Sequence, residues 1–258
     1  MGLHIIICIK AVTLEPPKGQ LMRSVDSLEL NPFDWPALEV AMRMKEEHGG
    51  TVTALTMGPE DSAFVLYEAM AMGADRGILV CDRAFAGSDT LATSTALAAA
   101  IKKLSPFDLV LFGPRAADSD TGQVGPQTAV ALDLPMVTGA QSIQWTDSGI
   151  HVERYADGFR EEFKLSLSAA LTINPSSVLP RGLRLSGIEL AFEEGEVEKW
   201  GLAELDLSPD QVGWAGSATR VPSWKRVTRE RKCEFISGTA NEQVEELVNH
   251  LKKSGLIE

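Results

Sequence analysis

An α/β architecture with a central parallel sheet is expected from three features of this sequence. Apolar runs without polar alternation, such as 3–9 and 107–112, are typical of strands that are covered on both faces. Segments with helical periodicity separate these runs, as in parallel sheets whose strands are joined by crossover helices. Alternating apolar and polar residues follow only after Pro135, which adds an antiparallel β-meander to the parallel sheet.

The first half of the chain holds the predicted strand–helix units. Strands are expected over 3–9, 51–57, 78–81 and 107–112. A long connection with Pro16-Pro17 leads to the first helix, which should begin at Asn31-Pro32-Phe33-Asp34 because asparagine favours a cap position and proline the first turn. Further helices are expected over 61–72, from the Asp89-Thr90 cap to residue 104, and from Thr121 to Leu134.

The second half combines the meander, another buried strand and an extended C-terminal arm. The meander should occupy about 140–168, and the buried strand at 169–173 could rejoin the main sheet. From Asn174 onward glycine and proline interrupt almost every candidate element, yet apolar residues such as Trp200, Trp214 and Trp224 argue against disorder. We therefore predict an α/β domain over 1–190 and an arm over 191–258, closed by a helix at 241–253, that packs on another subunit.

Composition and charge exclude several classes of function. The chain has 258 residues, 44% of them hydrophobic, and a formal net charge of −12, which argues against a nucleic-acid partner. No apolar run approaches the roughly 20 residues of a membrane span, and the N-terminus is a strand and not a signal peptide, so a cytoplasmic location is predicted. The three cysteines and four histidines are scattered, so we predict no metal site, no redox cysteine pair and no catalytic set.

The stretch after the 107–112 strand is the strongest candidate for a ligand site. Its polar loop, which carries Asp118 and Asp120, leads into Thr121-Gly122-Gln123-Val124-Gly125 at a helix start. Free N–H groups at such a helix start can receive a phosphate, and Asp118 and Asp120 would then cap the helix or bind ribose hydroxyls. The residue types alone favour the simpler alternative, an Asp-capped helix. No P-loop or Gly-x-Gly-x-x-Gly motif is present.

Three other polar loops follow predicted strands and therefore lie at the same edge of the sheet. These are Asn31 to Asp34, Met57-Gly58-Pro59, and Gly87 to Ser94. Parallel α/β sheets bind ligands at the carboxyl ends of their strands, so together the loops could surround an adenosine and its phosphates. Taken singly, each loop is more typical of a helix cap, because caps favour the same residue types.

These segments together resemble the β subunit of electron-transfer flavoprotein over nearly the whole chain. The resemblance rests on the following motifs: Cys8-Ile9-Lys10, Asn31-Pro32-Phe33-Asp34, Met57-Gly58-Pro59, Ala71-Met72-Gly73-Ala74-Asp75, Phe85 to Ser94, Asp118 to Pro126, and Val212-Gly213-Trp214-Ala215-Gly216-Ser217-Ala218-Thr219. It implies a Rossmann-like, adenine-nucleotide-binding domain in an electron-carrier subunit that is not itself an enzyme. The larger α subunit of the heterodimer would hold FAD near the interface.

The resemblance also implies the contents of this chain's own site. The β subunit would hold AMP or, in the electron-bifurcating branch, a second FAD with a place for NADH; the segment from Asp89 to Ser94 looks more like that branch. The implied nucleotide-binding residues are Cys8, Asn31, Pro32, Phe33, Asp34, Met57, Gly58, Asp89, Thr90, Thr93, Asp118, Ser119, Asp120, Thr121, Gly122, Gln123, Val124, Gly125, Pro126, Gln127, Thr128 and Ala129.

Partner choice is the remaining part of the hypothesis. The resemblance implies that Leu185 and Ile188 dock flavin-containing dehydrogenases of the acyl-CoA type. Phe192-Glu193-Glu194 stands where many members carry lysines, which should change the choice of partner more than the fold. The alternative to an electron-carrier subunit is a stand-alone α/β protein that binds or hydrolyses an adenine nucleotide; it lacks an obvious base, nucleophile or metal site.

Overall fold

A nine-stranded sheet organises the structure, a computed structural model that describes residues 2–13, 28–146, 148–221 and 233–257. The strands are β1 (Leu3–Cys8), β2 (Ala11–Thr13), β3 (Leu28–Leu30), β4 (Gly50–Met57), β5 (Arg76–Val80), β6 (Leu109–Phe112), β7 (Met136–Thr146), β8 (Gly149–Ala156), β9 (Phe159–Leu165), β10 (Ala169–Ile173) and β11 (Val197–Trp200). The α-helices are α1 (Trp35–His48), α2 (Ala63–Met72), α3 (Thr90–Lys103), α4 (Val124–Ala131), α5 (Leu185–Glu193), α6 (Leu202–Leu205), α7 (Gly213–Gly216) and α8 (Ala240–Lys253).

The strand order confirms an α/β fold with an attached meander. The main sheet runs β11-β5-β4-β1-β6-β10-β7-β8-β9, and every pairing from β11 to β7 is parallel. Strands β8 and β9 extend this sheet in antiparallel pairing, as the alternating sequence predicts. Strand β10 does rejoin the main sheet, between β6 and β7, while β2 and β3 form a separate two-stranded ladder.

Both faces of the central strands are buried. Ile5 and Ile7 of β1 belong to an apolar cluster on one face, whereas Ile6 and Cys8 belong to the cluster on the other. Because successive side chains of a strand point to opposite faces, burial on both sides requires a continuous apolar run. This is the physical reason why the 3–9 and 107–112 segments predict parallel strands.

The predicted start of the first helix is wrong by about one turn. Helix α1 begins at Trp35 with Asp34 as its N-cap residue, and Asn31 instead opens a turn in which the Asp34 N–H donates to the Asn31 carbonyl at 2.8 Å. Neither side chain caps the helix, because both form hydrogen bonds with other loops at the sheet edge. The cap at Asp89 is confirmed, with its carboxylate 3.0 Å from the Ala92 nitrogen.

Regular structure continues past residue 174, where the sequence pattern predicts only an irregular arm. Helix α5 packs on α2, with the Phe192 ring centroid 5.2 Å from that of Tyr67. A Cβ on Gly187 would lie 2.5 Å from the Ala71 carbonyl oxygen, so this glycine permits the close approach of the two helices. The glycines that obscure the helical pattern are therefore contact points of short elements.

The chain divides into two compact units, Met1–Arg220 and Val221–Glu258. Residues 191–220 belong to the first unit, since β11 pairs with β5 of the main sheet. That residues 191–258 pack on a partner subunit stays a prediction. Residues 222–232 of the predicted arm, and most of the predicted connection after β1 (14–27), lie outside the described residues.

The second unit contains α8, which confirms the predicted C-terminal helix to within one residue. Thr239 and Glu242 form a capping box at its start, with the Thr239 nitrogen 2.8 Å from the Glu242 carboxylate. Its apolar stripe includes Val244 and Leu247, both exposed within this unit.

No helix within the described ranges has the length and apolar character that crossing a membrane requires.

Candidate functional site

The candidate site lies at the switch point of the parallel sheet, where the strand order reverses. Strand β1 pairs with β4 on one side and β6 on the other, with Cys8 opposite both Leu55 and Phe112. The next main-sheet strand after β1 is β4, on one side of β1, whereas the next strand after β6 is β7, on the opposite side of the pair. Such switch points at the carboxyl ends of parallel strands form the crevice in which α/β proteins bind ligands. The structure therefore brings the loop after β6 next to the end of β1.

Asn31 braces the loop that follows β6. Its side chain is almost completely buried, donates to the Arg115 carbonyl at 2.9 Å and accepts from the Ala117 N–H at 3.1 Å. These two bonds connect segments far apart in sequence and satisfy backbone groups that a regular element would otherwise pair. Asn31 is thus a structural part of the candidate site, in a role that differs from a helix cap.

Asp34 lies beneath the same loop. Its carboxylate accepts from the Lys10 N–H at 2.8 Å, and a Cβ on Gly113 would lie only 2.1 Å from its Oδ1. Burial raises the pKa of Asp34 to about 7, although hydrogen bonds from Lys10 and Asn31 oppose the increase. Burial, with the nearby Asp34 charge, also raises the pKa of the Cys8 thiol, so Cys8 stays protonated near neutral pH.

Two ion pairs fix the aspartates of the loop. Lys10 Nζ lies 2.6 Å from Asp118 Oδ1, and Arg115 Nη1 lies 3.0 Å from Asp120 Oδ1. The Arg115 guanidinium also stacks 4.5 Å from the centre of the Phe33 ring. The expectation that these aspartates cap the following helix is wrong, because the N-cap residue of α4 is Gln123 and the two aspartates pair with Lys10 and Arg115. Binding of ribose hydroxyls stays a prediction.

Helix α4 begins without a side-chain cap. Its N-cap residue is Gln123, whose side chain makes no capping hydrogen bond. The Gln123 Oε1 instead accepts from Thr90 Oγ1 at 3.1 Å. The first N–H groups of a helix have no acceptor within the helix, so this end of α4 is suited to an anion. Gly122, two residues before α4, has a φ of +64°, and this left-handed conformation directs the chain into the helix.

The beginnings of α3 and α4 are joined to each other. Ser94 of α3 has its hydroxyl 3.2 Å from the Val124 carbonyl and 3.3 Å from Gln127 Oε1, in addition to the Thr90–Gln123 bond. The structure thus brings the predicted residues Thr90, Gln123 and Gln127 together.

Several predicted residues face the protein interior. A Cβ on Gly125 would meet Phe112 and Thr172 at 3.2 Å, so Gly125 lets α4 lie close to the sheet. Thr128 and Ala129 are buried, and the Thr128 hydroxyl has no hydrogen-bond partner among the described residues.

The other predicted residues lie around or apart from this group. Met57 ends the neighbouring strand β4, and Gly58 follows it, with the Gly58 N–H donating to the Val80 carbonyl at 3.1 Å. Thr93 lies in the first turn of α3. Leu185 and Ile188 belong to a different surface, on α5, where Leu185 is 81% exposed.

A cavity of about 380 Å³ adjoins the candidate loop on the side of the meander. Its lining residues are Pro114, Gly122, Thr138, Gly139, Arg154, Tyr155, Ala156 and Thr172. Arg154 is held in place by an ion pair with Glu161 and by a 3.0 Å hydrogen bond to Thr138 Oγ1. The sequence reasoning missed the residues from β7 and β8, because nothing in an alternating strand pattern indicates which end of the strand meets another loop.

The strand order and the edge of the sheet define an α/β protein with a Rossmann-like fold. Residues 19–205 match the family model described as the electron transfer flavoprotein domain. The chain belongs to the electron-transfer flavoprotein family, and relatives over its full length are named β subunits of electron transfer flavoprotein, which act as electron carriers and not as enzymes.

Three relatives illustrate the range of the family. The electron transfer flavoprotein subunit beta of Thermoanaerobacterium thermosaccharolyticum is 36% identical, covering 99% of this chain and 100% of the relative. The caffeyl-CoA reductase-Etf complex subunit CarD of Acetobacterium woodii is 38% identical, with the same coverage of 99% and 100%. Protein FixA of Azotobacter vinelandii is 42% identical over 91% of this chain and 88% of the relative.

Proposed function

We propose that this chain is the β subunit of a heterodimeric electron-transfer flavoprotein and holds an FAD at the loop after β6 and the start of α4, here called the cradle. The observation that carries the proposal is the uncapped start of α4 at the switch point of the sheet. The α subunit would supply the other FAD, and flavin-containing dehydrogenases would exchange electrons with the complex. The bound flavins would supply the redox chemistry, because protein side chains alone lack a suitable reversible electron carrier.

The residues of the cradle fit an adenine dinucleotide. N–H groups at the start of α4 would donate to phosphate oxygens, and Gly122 leaves the approach to them open. Asp118 and Asp120 neutralise the positive charges of Lys10 and Arg115, so the attraction for phosphate rests on the N–H groups of α4. The cavity that adjoins Gly122 supports FAD over AMP, because AMP has no further group to occupy it. NADH would be an electron source in a complex that bifurcates electrons.

The nucleotide released from the purified heterodimer tests this proposal. The chain should be co-expressed with the α subunit, denatured by heat, and the released compounds separated and measured by absorbance. Two FAD per heterodimer is the expected result. One FAD with one AMP would refute the second flavin but keep the nucleotide site, and the absence of any nucleotide from this chain would overturn the proposal.

A pair of glycine variants checks where the nucleotide binds. Gly122→Val should bind nucleotide about tenfold more weakly, a loss of about 1.4 kcal/mol, because the side chain would obstruct the approach to α4. Gly255→Val is the matched control, since Gly255 also has positive φ, +67°, but lies in the second unit. Equal retention by the two variants would contradict the assignment of the loop.

The surface of α5 supports the proposed docking of a dehydrogenase. Leu185 and Leu190 are exposed, and Ile188 is partly exposed, while packing of Phe192 on α2 holds the helix. Leu185→Ala should lower kcat/KM for electron transfer with an acyl-CoA-type dehydrogenase encoded beside this chain, because an exposed apolar anchor contributes to binding. The flavin content should not change. An unchanged kcat/KM would refute docking at this helix.

The charge around this helix indicates a basic partner. Glu193 lies in the last turn of α5 and Glu194 is its C-cap residue, with no basic residue in that turn. Acidic side chains at the negative end of a helix dipole are unfavourable, so a partner's cations would relieve the repulsion. Raising the salt concentration should slow the association of the wild-type chain with the dehydrogenase. At low salt, the double variant Glu193→Lys with Glu194→Lys should associate more slowly than the wild type. Glu47→Lys, on α1, is the control; a loss of equal size there would refute the local effect.

A further inference from the structure

We propose that residues 213–219, here called the strap, position the start of α3 and through it the nucleotide loop, with Ser217 and Thr219 as positioning residues. The link to nucleotide rests on the proposed function. The strap contains the short helix α7, follows a single 3-10 turn at Pro209–Gln211, and ends one residue before Arg220, the last residue of the first unit. It therefore connects the nucleotide-binding edge with the chain that enters the second unit.

Hydrogen bonds hold the strap against the loop that precedes α3. The Trp214 N–H donates to the Ala86 carbonyl at 3.0 Å, and the Gly213 N–H donates to Ser88 Oγ at 2.9 Å. The Ser217 hydroxyl is 3.1 Å from the Gly87 carbonyl. Because Ser217 is buried, its own hydrogen bonds form with little competition from water.

The strap also binds the residue that caps α3. Asp89 Oδ2 accepts from the Thr219 N–H at 2.8 Å and from the Thr219 hydroxyl at 2.9 Å, while Oδ1 accepts from the Ala92 N–H. The Asp89 N–H donates to Ser217 Oγ at 2.8 Å. Burial opposes ionisation of Asp89, but these hydrogen bonds outweigh it and lower its pKa. The cap of α3 is thus shared between the helix and the strap.

Glycines permit this close contact. A Cβ on Gly213 would lie 1.9 Å from the Ala84 carbonyl oxygen, and one on Gly87 would lie 3.1 Å from the Trp214 ring. Gly213 also has φ of +61° and Gly87 of +78°, which favour glycine. The glycine-rich sequence of the strap therefore reflects a fitted contact and not a flexible linker.

The path to the nucleotide loop is short. Asp89 is followed by Thr90, whose hydroxyl donates to Gln123 at the start of α4. A displacement of Thr219 would release one oxygen of Asp89, loosen the first turn of α3 and remove support from Gln123. Nucleotide retention should consequently depend on a hydroxyl that lies on the strap and not in the nucleotide loop.

Three substitutions test this in the heterodimer with its α subunit. Thr219→Val removes the hydroxyl but keeps the shape of the side chain and the backbone hydrogen bond. It should release nucleotide about three- to tenfold faster, because a hydrogen bond to a charged group is lost and only part of that lost energy affects nucleotide binding. Thr219→Ser keeps the hydroxyl and should restore the wild-type rate. Thr95→Val is the matched control on α3, because within the described ranges its hydroxyl bonds only to the Leu91 carbonyl, at 3.0 Å.

Amide hydrogen exchange separates the possible failures. Thr219→Val should speed exchange at Ala92 even without nucleotide, whereas Thr95→Val should not. Unchanged exchange at Ala92 would overturn the strap as a support of α3. Faster exchange with nucleotide release equal to that of Thr95→Val would overturn its link to the nucleotide. A wild-type complex that carries no nucleotide in this chain would overturn the proposed function and that link, while exchange at Ala92 would still test the strap.

Discussion

Replacing Asn31 with alanine tests whether a buried amide holds the loop after β6. The change removes two hydrogen bonds, a 2.9 Å donation to the Arg115 carbonyl and a 3.1 Å acceptance from the Ala117 N–H. Each of the two backbone groups left without a partner costs about 1 to 3 kcal/mol, and the low end applies to both because water can reach this loop. The free energy of unfolding should therefore fall by about 2 kcal/mol, which lowers Tm by about 4 to 8 °C in a protein of this size.

Urea unfolding followed by circular dichroism measures this loss on the nucleotide-free chain. Asn249→Ala is the control, because Asn249 is exposed on α8 and its removal should change stability by less than about 0.5 kcal/mol. Nucleotide retention by the heterodimer should fall in the Asn31 variant as well, since the loop loses its brace. A variant that unfolds within 0.5 kcal/mol of the wild type would refute the role assigned to Asn31.

Three further predictions concern the edge of the sheet and the connection to α5. Because the folded chain keeps the Asp34 proton up to about pH 7 and the ordinary pKa of aspartate is 3.8, the free energy of unfolding should fall as pH rises between these two values. Asp34→Asn should flatten this dependence in urea titrations at several pH values, and an unchanged slope would contradict the prediction. Gly113→Ala should destabilise by about 1 to 3 kcal/mol through a clash with Asp34, whereas Gly182→Ala, where a Cβ meets nothing within 4 Å, should be near neutral by the same measurement; similar effects would argue against the clash. Arg181→Lys should destabilise by about 1 to 2 kcal/mol in urea unfolding, because lysine cannot keep the forked contacts with Glu39 and Glu46, and wild-type stability would refute this.

The start of α1 shows how far side-chain type predicts local structure. Asn31-Pro32-Phe33-Asp34 has the composition of a helix cap, yet the helix begins at Trp35 and both polar side chains bind other segments. Asp89, with the same cap chemistry, does cap its helix. The difference lies in what the fold brings near each side chain, and local sequence carries no information about that.

The prediction of an irregular arm after residue 174 is wrong for a second reason. Helix α5 and strand β11 are short, and glycines such as Gly187 and Gly195 interrupt the patterns that would indicate them. A Cβ on Gly187 would lie 2.5 Å from the Ala71 carbonyl oxygen of the packed helix α2, and a Cβ on Gly195 would lie 2.2 Å from the Ala191 carbonyl oxygen at the end of α5 itself. Glycine at a close contact and glycine in a flexible loop look alike in sequence, so only the contact distinguishes them.

The amino-acid sequence by itself determined the alternation of strands and helices, the meander and the edge of the sheet that carries polar loops. Burial on both faces leaves a continuous apolar run, burial on one face leaves alternation, and both patterns are local. Only the tertiary structure decided the partners of Asn31, Asp34 and Asp118, because these bonds join residues 84, 24 and 108 positions apart. Long-range contacts alone choose among the hydrogen bonds that a polar side chain can make, and here they turned predicted helix caps into supports of the loop after β6.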